Sequence, residues 1–403
     1  MTSYAQQTLQ RKYDAVVVGG GPGGAMAALT LAREGVATLV VERKAAVGQP
    51  VRCGEGVPRA KFESLVGEVD PGWVSADVNG GVGHSPSGIT VRRDYPRVGY
   101  VLEREVFDRG LFARAAAAGA ATLLGAEVCA LRFDDGGAEV DVSLAAGGGA
   151  SVRCRAVVGA DGVESAVGRA AGLATQLSPA DVDVCAEYIL ADARIEYADY
   201  IQFFLGRCYA PGGYAWVFPK DGARLLAVGV GITPAKAEGR GPFWYLERFV
   251  ASRFPGSRVV EVRSGAVPVS KPLPRIVTPC LALVGDAARQ PDPFSGEGIC
   301  QALMAGQGAA RAIARGLGNG RLARELEGYQ HEWMSSYGER YKQHYKVRQV
   351  ILAMDDREID DTVAILRDKM DISAINSSEI FSTFLKALWK NPGLILKLRH
   401  LLG

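Results

Sequence analysis

Histidine is scarce in this chain: four in 403 residues, at positions 84, 331, 344 and 400, and none lies within a recognisable motif. Acid or base chemistry centred on an imidazole is therefore not expected; His84 reads as a loop residue and the other three as helix-surface residues. The seven cysteines, at 53, 129, 154, 185, 208, 280 and 300, are odd in number, widely scattered, and without a pair at zinc-site spacing. That pattern excludes a disulfide framework and a cysteine metal centre, and fits free thiols in a reducing, cytoplasmic setting. Charge of one sign is also missing: 46 Lys and Arg against 44 Asp and Glu leave a formal net charge of +2. Nothing in that balance points to nucleic acid or another polyanion. The stretch from Met1 to Lys12 is polar and lacks an apolar core, so no secretory signal is expected. No uninterrupted apolar run is long enough to span a membrane except one that carries a glycine motif, which has a better explanation.

That motif is what the chain does have. Asp14-Ala-Val-Val-Val leads into Gly19-Gly-Gly21-Pro22-Gly23-Gly24 and then an alanine-rich stretch. The order strand, glycines, helix is a dinucleotide cradle. Gly19 permits the tight turn, Gly21 lets backbone approach a pyrophosphate, and Gly24 lets the helix pack close to the sheet. The phosphates then face a helix N-terminus, where free N–H groups and the helix dipole favour an anion. The pattern predicts a helix over Gly23–Glu34 ending at Gly35, then a strand over Val36–Val41. Glu42 follows, roughly twenty residues beyond the glycines, where an acidic side chain suits an unphosphorylated ribose, as in FAD or NAD.

At this length two or three domains are expected. A Gly- and Pro-rich loop, Gly48–Pro58, contains Arg52-Cys53-Gly54-Glu55-Gly56. A helix is predicted over Phe107–Ala118, and alternation from Thr122 to Ala156, broken at two Gly-rich turns, predicts a β-meander. Val157-Val-Gly159-Ala-Asp161-Gly162 reads as another buried strand ending in a polar turn. Residues 176–274 are richer in aromatics and read as an antiparallel sheet. Cys280-Leu-Ala-Leu-Val-Gly285-Asp286 repeats the strand-to-Asp form, with a helix starting near Gly298. The fold class is thus α/β (α+β): a discontinuous Rossmann-type dinucleotide domain (1–75, 99–175, 275–320), an inserted antiparallel-sheet substrate domain (76–98, 176–274) and a C-terminal helical region (321–403).

Three of these segments, Gly19/Gly21/Gly24 with Glu42, Gly159-Ala-Asp161-Gly162 with Ser165 and Arg169, and Gly285-Asp286, resemble the three FAD fingerprints of flavoprotein hydroxylases and their reductase relatives. Within that group the chain resembles the geranylgeranyl reductase family. The resemblance rests on Gly213-Tyr214-Ala-Trp216-Val-Phe218-Pro219 with the trailing Gly229-Val-Gly231, similar to the family's aromatic-x-Trp-x-Phe-Pro signature, and on the Arg52-Cys53-Gly54 loop. It implies FAD as cofactor, held by the cradle with Arg43, Arg52, Cys53, Gly54, Arg104, Asp161 and Gly162, by Asp286 at the ribose, and by Gly296, Gly298 and Ile299 in the loop beyond. It also implies an isolated double bond of a polyprenyl lipid as substrate, reduced by hydride from the flavin with a coupled proton. Cys53, Tyr214 and Trp216 then stand at the reacting end, with Phe218, Pro219, Gly229 and Gly231 lining the substrate cavity. Alternation places Tyr214, Trp216 and Phe218 on one strand face; the alternative is an aromatic core stripe.

This chain departs from the family in Pro291-Asp-Pro293-Phe294-Ser295-Gly296-Glu297-Gly298, where archaeal members carry a Gly-rich turn. Cys53 reads either as a thiolate whose pKa Arg52 lowers, or as a small apolar residue in a tight loop. Asp161 reads equally as a helix N-cap, and Arg104 with Asp108 as serving the fold or the FAD. No second glycine cradle is present, so a built-in NAD(P)H domain is not expected; the resemblance implies NAD(P)H or a ferredoxin-like protein as electron donor. Residues 380–403 form a basic amphipathic pattern suited either to peripheral membrane contact or to packing on the protein body. The rival functions are a flavin monooxygenase or halogenase on the same frame, and a flavin electron-transfer protein.

Overall fold

The computed structural model describes residues 10–145 and 147–369. Its first unit follows from β-branched runs buried on both faces, as central parallel strands must be. Strand β1 (Ala15–Val18) enters helix α1 (Pro22–Arg33), whose proline sits in the first turn, and β2 (Thr38–Glu42) follows. β3 (Gly56–Pro58) and α2 (Arg59–Val66) lead to the long pair β4 (Val74–His84) and β5 (Thr90–Leu102). α3 (Arg104–Ala117) and β6 (Ala121–Leu124) complete a parallel crossover. β7 (Ala126–Asp134), β8 (Gly137–Leu144) and β9 (Gly149–Cys154) form a separate three-stranded antiparallel sheet, and β10 (Ala156–Gly159) returns to the core before α4 (Ala166–Ala170).

The aromatic half is antiparallel: β11 (Val182–Ala191), β12 (Ile201–Leu205), β13 (Tyr214–Lys220), β14 (Leu225–Ile232), α5 (Pro242–Arg253) and β15 (Arg258–Pro268). The chain then re-enters the first sheet through β16 (Val277–Thr278) and β17 (Leu281–Leu283). The described residues end in α6 (Ile299–Asn319), α7 (Leu322–Trp333), α8 (Glu339–Ala353) and α9 (Asp356–Lys369). The parallel sheet has the order β16-β17-β10-β1-β2-β6, with β16 antiparallel at its edge, and the larger sheet the order β15-β11-β14-β13-β12-β4-β5-β3. All three fingerprint segments therefore leave the carboxyl ends of adjacent strands β1, β10 and β17, the rim where open α/β sheets bind ligands.

Close packing at two glycines sets this geometry. A Cβ on Gly24 would stand 1.9 Å from the Gly19 carbonyl oxygen, and one on Gly306 of α6 would stand 2.2 Å from the Gly23 carbonyl oxygen. Helix α1 can thus lie against both the β1 turn and α6 only without those side chains.

Four sequence expectations need correction. The meander is interrupted, because β6 pairs parallel with β2 and only β7–β9 pair antiparallel. The helix expected from Phe107 begins at Arg104, where an Arg104–Asp108 ion pair spans its first turn. His84 lies on β4, its ring stacked 4.2 Å from Phe204 and its Nε2 2.8 Å from Gln202 Oε1. His344 is fully buried, with Nδ1 2.8 Å from Asp292 Oδ2, so it is not a surface residue of α8. His331 is exposed on α7, as expected. His400 and the basic amphipathic pattern of 380–403 lie outside the described residues. Among the described residues no helix is long and apolar enough to cross a membrane.

Gly24→Ala is expected to destabilise the protein by about 1–3 kcal/mol, because the obstacle is backbone and cannot rotate away. At Gly21 an added Cβ meets nothing within 4 Å, so Gly21→Ala should change stability by less than about 1 kcal/mol while lowering FAD retention. Urea unfolding and flavin absorbance of the purified variants measure both effects.

Candidate functional site

The glycine cradle is braced by its own acidic residue. Glu42 Oε2 accepts from the Gly20 N–H at 2.7 Å and Oε1 from the Lys44 N–H at 2.8 Å, holding the ends of β1 and β2 together. Each oxygen keeps a further lone pair for a hydroxyl. The cleft before it is lined by Gly21, Glu42, Lys44, Arg52, Arg104 and Asp108. Arg104 is held by two hydrogen bonds of 2.8 Å to Asp108, so it reaches the cleft as an oriented, largely neutralised cation. Burial lowers the pKa of Lys44, with Glu42 opposing the shift.

The second and third fingerprint segments converge on the same rim. Gly19, at φ +104°, has space for no side chain because the Ala160 carbonyl oxygen would be 2.3 Å away. Asp161 Oδ2 accepts from the Val167 N–H at 2.9 Å and caps α4, while Oδ1 is buried with no hydrogen-bond partner among the described residues. Arg43 is half exposed and pairs with Glu164. The Asp286 carboxylate makes no hydrogen bond among the described residues, and burial, partly offset by Arg104, pushes its pKa up to about 6. Asp286 is half-buried, and a partly desolvated carboxylate without a partner is costly unless a ligand supplies a donor. That orphaned acceptor, the open space at Gly21 and the free α1 N-terminus fit the pyrophosphate and polyol of FAD.

Beyond Asp286 the chain turns through 291–298 into α6. Asp292 shapes the turn, accepting from the Phe294 N–H at 2.8 Å through Oδ1 while its backbone oxygen accepts from the Gly296 N–H. His344 and Tyr341 of α8 stack behind it. Burial raises the Glu297 pKa. Tyr214 Oη donates to the Ser295 carbonyl at 2.5 Å, and a Cβ on Gly296 would lie 3.7 Å from that hydroxyl. The loop after the third fingerprint therefore touches the aromatic strand directly.

Alternation on β13 puts Tyr214, Trp216 and Phe218 on one face, while Ala215 and Val217 face the core under α5. The register explains the trailing glycines: Tyr214 lies opposite Gly231 and Trp216 opposite Gly229 on β14. A Cβ on Gly229 would come within 2.2 Å of Trp216 Cζ2, so the indole lies across that glycine. Its Nε1 then reaches β11, where it donates to Glu187 Oε2 at 2.9 Å. The loop Arg52–Gly56 covers this face. Cβ atoms on Gly54 and Gly56 would touch Trp216 and Phe218, and one on Gly265 of β15 would touch Arg52.

The fastening of that loop was not foreseen from sequence. Glu55, at φ +70°, turns its fully buried carboxylate onto Arg263 Nη1 and Lys220 Nζ, both 2.8 Å away, and onto the Arg104 N–H at 3.0 Å. Arg263 Nη1 also reaches Glu187 Oε1 at 3.3 Å. Burial and the nearby Glu55 push the Glu187 pKa up to about 7, with Arg263 pulling the other way. A carboxylate in the middle of the otherwise apolar stretch Val184–Ala191 was the available signal for Glu187, and Lys220 directly after the Phe-Pro pair was another. One sequence reading is overturned: Arg52 is exposed and does not lower the Cys53 pKa. Burial raises it, and the cation that partly opposes the rise is Arg104. Cys53 is a neutral thiol, and its Sγ accepts weakly from the Glu55 N–H at 3.3 Å.

A larger cavity, about 710 Å³, lies apart from the cradle between α2 and the start of β4. Its Arg59 is already paired with Glu63 and Asp77, and it brings together no motif residue. Among the described residues no cluster could hold a metal.

Comparison with known proteins agrees with this geometry. Residues 12–212 match the FAD-binding domain and residues 181–267 the geranylgeranyl reductase catalytic domain. The second match spans the Tyr214–Phe218 face, Glu187 and Arg263. The digeranylgeranylglycerophospholipid reductase of Methanothrix thermoacetophila is 38% identical over 96% of this chain and 99% of its own. Its namesake in Methanosarcina acetivorans is 38% identical over 96% of each chain. A geranylgeranyl bacteriochlorophyll reductase-like protein of Thermoplasma acidophilum superposes with a TM-score of 0.88 at 30% identity, covering 97% of this chain and 99% of that one. The myxobacterial chondrochloren halogenase, at 20% identity and a TM-score of 0.69 over 94% and 97% of the two chains, shares the fold alone. With the FAD cradle, the aromatic face and full-length relatives in agreement, the chain belongs to the geranylgeranyl reductase family of FAD-dependent oxidoreductases.

Proposed function

We propose that this enzyme saturates isolated C=C bonds in geranylgeranyl-type chains carried on a lipid. The observation that carries the reading is the one-sided face of Tyr214, Trp216 and Phe218, roofed by the Cys53–Gly56 loop and abutting the Ser295–Gly296 turn. The relatives named for digeranylgeranylglycerophospholipid support a glycerophospholipid as the head group.

FAD, once bound and reduced, supplies the hydride equivalent to the double bond. The protein's part is to hold the alkene against it and keep water out. An isolated alkene has no carbonyl to withdraw charge, so alignment and a dry pocket carry the selectivity. Aromatic rings with few rotatable bonds give a firm apolar wall for a flexible chain. Asp286 takes the flavin ribose, the α1 N-terminus takes the pyrophosphate, and Cys53 stands in the covering loop as a neutral thiol rather than an anion. Electrons come from NAD(P)H or a ferredoxin-like donor, and residues 380–403 meet the membrane surface.

Under anaerobic conditions, dithionite-reduced enzyme mixed with a digeranylgeranyl glycerophospholipid should reoxidise its flavin while the lipid gains two mass units per bond reduced. A flavin that stays reduced until air enters, with no saturated lipid, would instead mean an oxygen-using enzyme or an electron carrier. Geranylgeranyl diphosphate and menaquinone in parallel reveal head-group tolerance.

Asp286 gives a pH test. Its raised pKa means the apoprotein binds a proton that the unfolded chain has lost, so this contribution is full below about 3.8 and is lost as pH rises through about 6. A ribose hydroxyl donating to the carboxylate offsets that loss. FAD should therefore raise the melting temperature more at pH 7 than at pH 5, and Asp286→Asn should remove the difference.

A further inference from the structure

One row of the larger sheet runs across four strands as Arg263, Glu187, Gly229 and Trp216, each directly opposite the next. Only one of the four lacks a side chain, and the indole fills its place to reach a carboxylate two strands away. We propose that Glu187 is a positioning residue for alkene reduction: anchored by Arg263, it fixes the Trp216 indole and thereby holds a double bond of the chain in alignment with the flavin. This rests on the reading of Trp216 as a wall of the substrate cavity.

The argument is one of constraint. A tryptophan on a sheet face has two broad choices of ring orientation, and the space above Gly229 alone does not choose between them. The Nε1 donor decides it, because a buried indole N–H without an acceptor is penalised. Glu187 accepts at 2.9 Å and is itself held, since Arg263 is in turn gripped by Glu55 and by Glu261 at 2.7 Å. The groups facing Glu187 are Arg263 on β15, Glu55 and Cys53 on the covering loop, Lys220 and Trp216 on β13, and Cys185 on its own strand. Every isoprene unit presents the same surface, so the wall does not tell one unit from the next. What a fixed indole sets is where, within a unit, the double bond stands over the flavin; a ring free to rotate lets it drift from that position.

The test is a double-mutant cycle between Glu187 and Trp216, read as kcat/KM and as the distribution of partly saturated lipids. Glu187→Gln keeps an acceptor for the indole and should stay within about threefold of wild type. Glu187→Leu should lose about tenfold to a hundredfold and leave more partly saturated lipid, with flavin content and dithionite reduction unchanged. Glu187→Met, similar in length, serves if the leucine variant does not fold. Combined with Trp216→Phe, which removes the N–H, the Leu or Met change should cost little more. Wild-type turnover and products in the Leu or Met variant, or a full additional loss on Trp216→Phe, would overturn the proposal. If Trp216→Ala itself leaves turnover and products unchanged, the substrate-wall reading fails first, which separates the two failures.

Discussion

The buried carboxylate of Glu55 is the constraint on which the site depends. It is fully enclosed, and a charge so placed is tolerated only with strong donors on it. Its donors come from three places: the Arg104 N–H at the start of α3, Lys220 at the end of β13, and Arg263 on β15. Its backbone oxygen also accepts from the Leu102 N–H. Thus one side chain docks the loop before β3 onto the larger sheet, and removing Lys220 or Arg263 leaves a buried carboxylate short of a cation.

What that dock creates is a narrow layer rather than a broad pocket. Glycines at 54, 56, 229, 231 and 265 thin both surfaces, so the loop and the sheet meet across the aromatic side chains and the Glu55 ion cluster. The same face meets the turn after Asp286 through Tyr214 and Ser295. Cofactor rim and aromatic wall are therefore linked at two independent points, which is what holding a flexible apolar chain at fixed height over a flavin requires. Helix α8 adds a third tie from behind, His344 to Asp292 on the turn and Arg348 to Asp183 on β11.

The cradle was legible in sequence because its physics is local: a strand, glycines at fixed spacing and a helix lie within some thirty residues. The aromatic face was legible for the same reason, since alternation along one strand needs no partner. The reason for Gly229 and Gly231 was not, because it arises from cross-strand register with β13. Glu187 and Arg263 were missed for the same cause, being 76 residues apart yet paired on adjacent strands. His344 was misread because a charged-looking helix gave no sign of the buried aspartate it would face. Of the two readings of Cys53, the thiolate one failed because sequence adjacency suggested Arg52 as its cation, whereas the fold turns Arg52 to solvent and brings Arg104 instead.

The central claim is that the substrate chain lies between the flavin rim and the Tyr214–Trp216–Phe218 face. A crystal structure of the FAD-loaded enzyme with a geranylgeranyl glycerophospholipid tests it most directly. The account predicts isoprene carbons in van der Waals contact with Trp216 and Gly54, with a double bond stacked on the isoalloxazine. A chain lodged instead in the cavity beside Arg59 and Tyr100, with the aromatic face still closed by the loop, would contradict it.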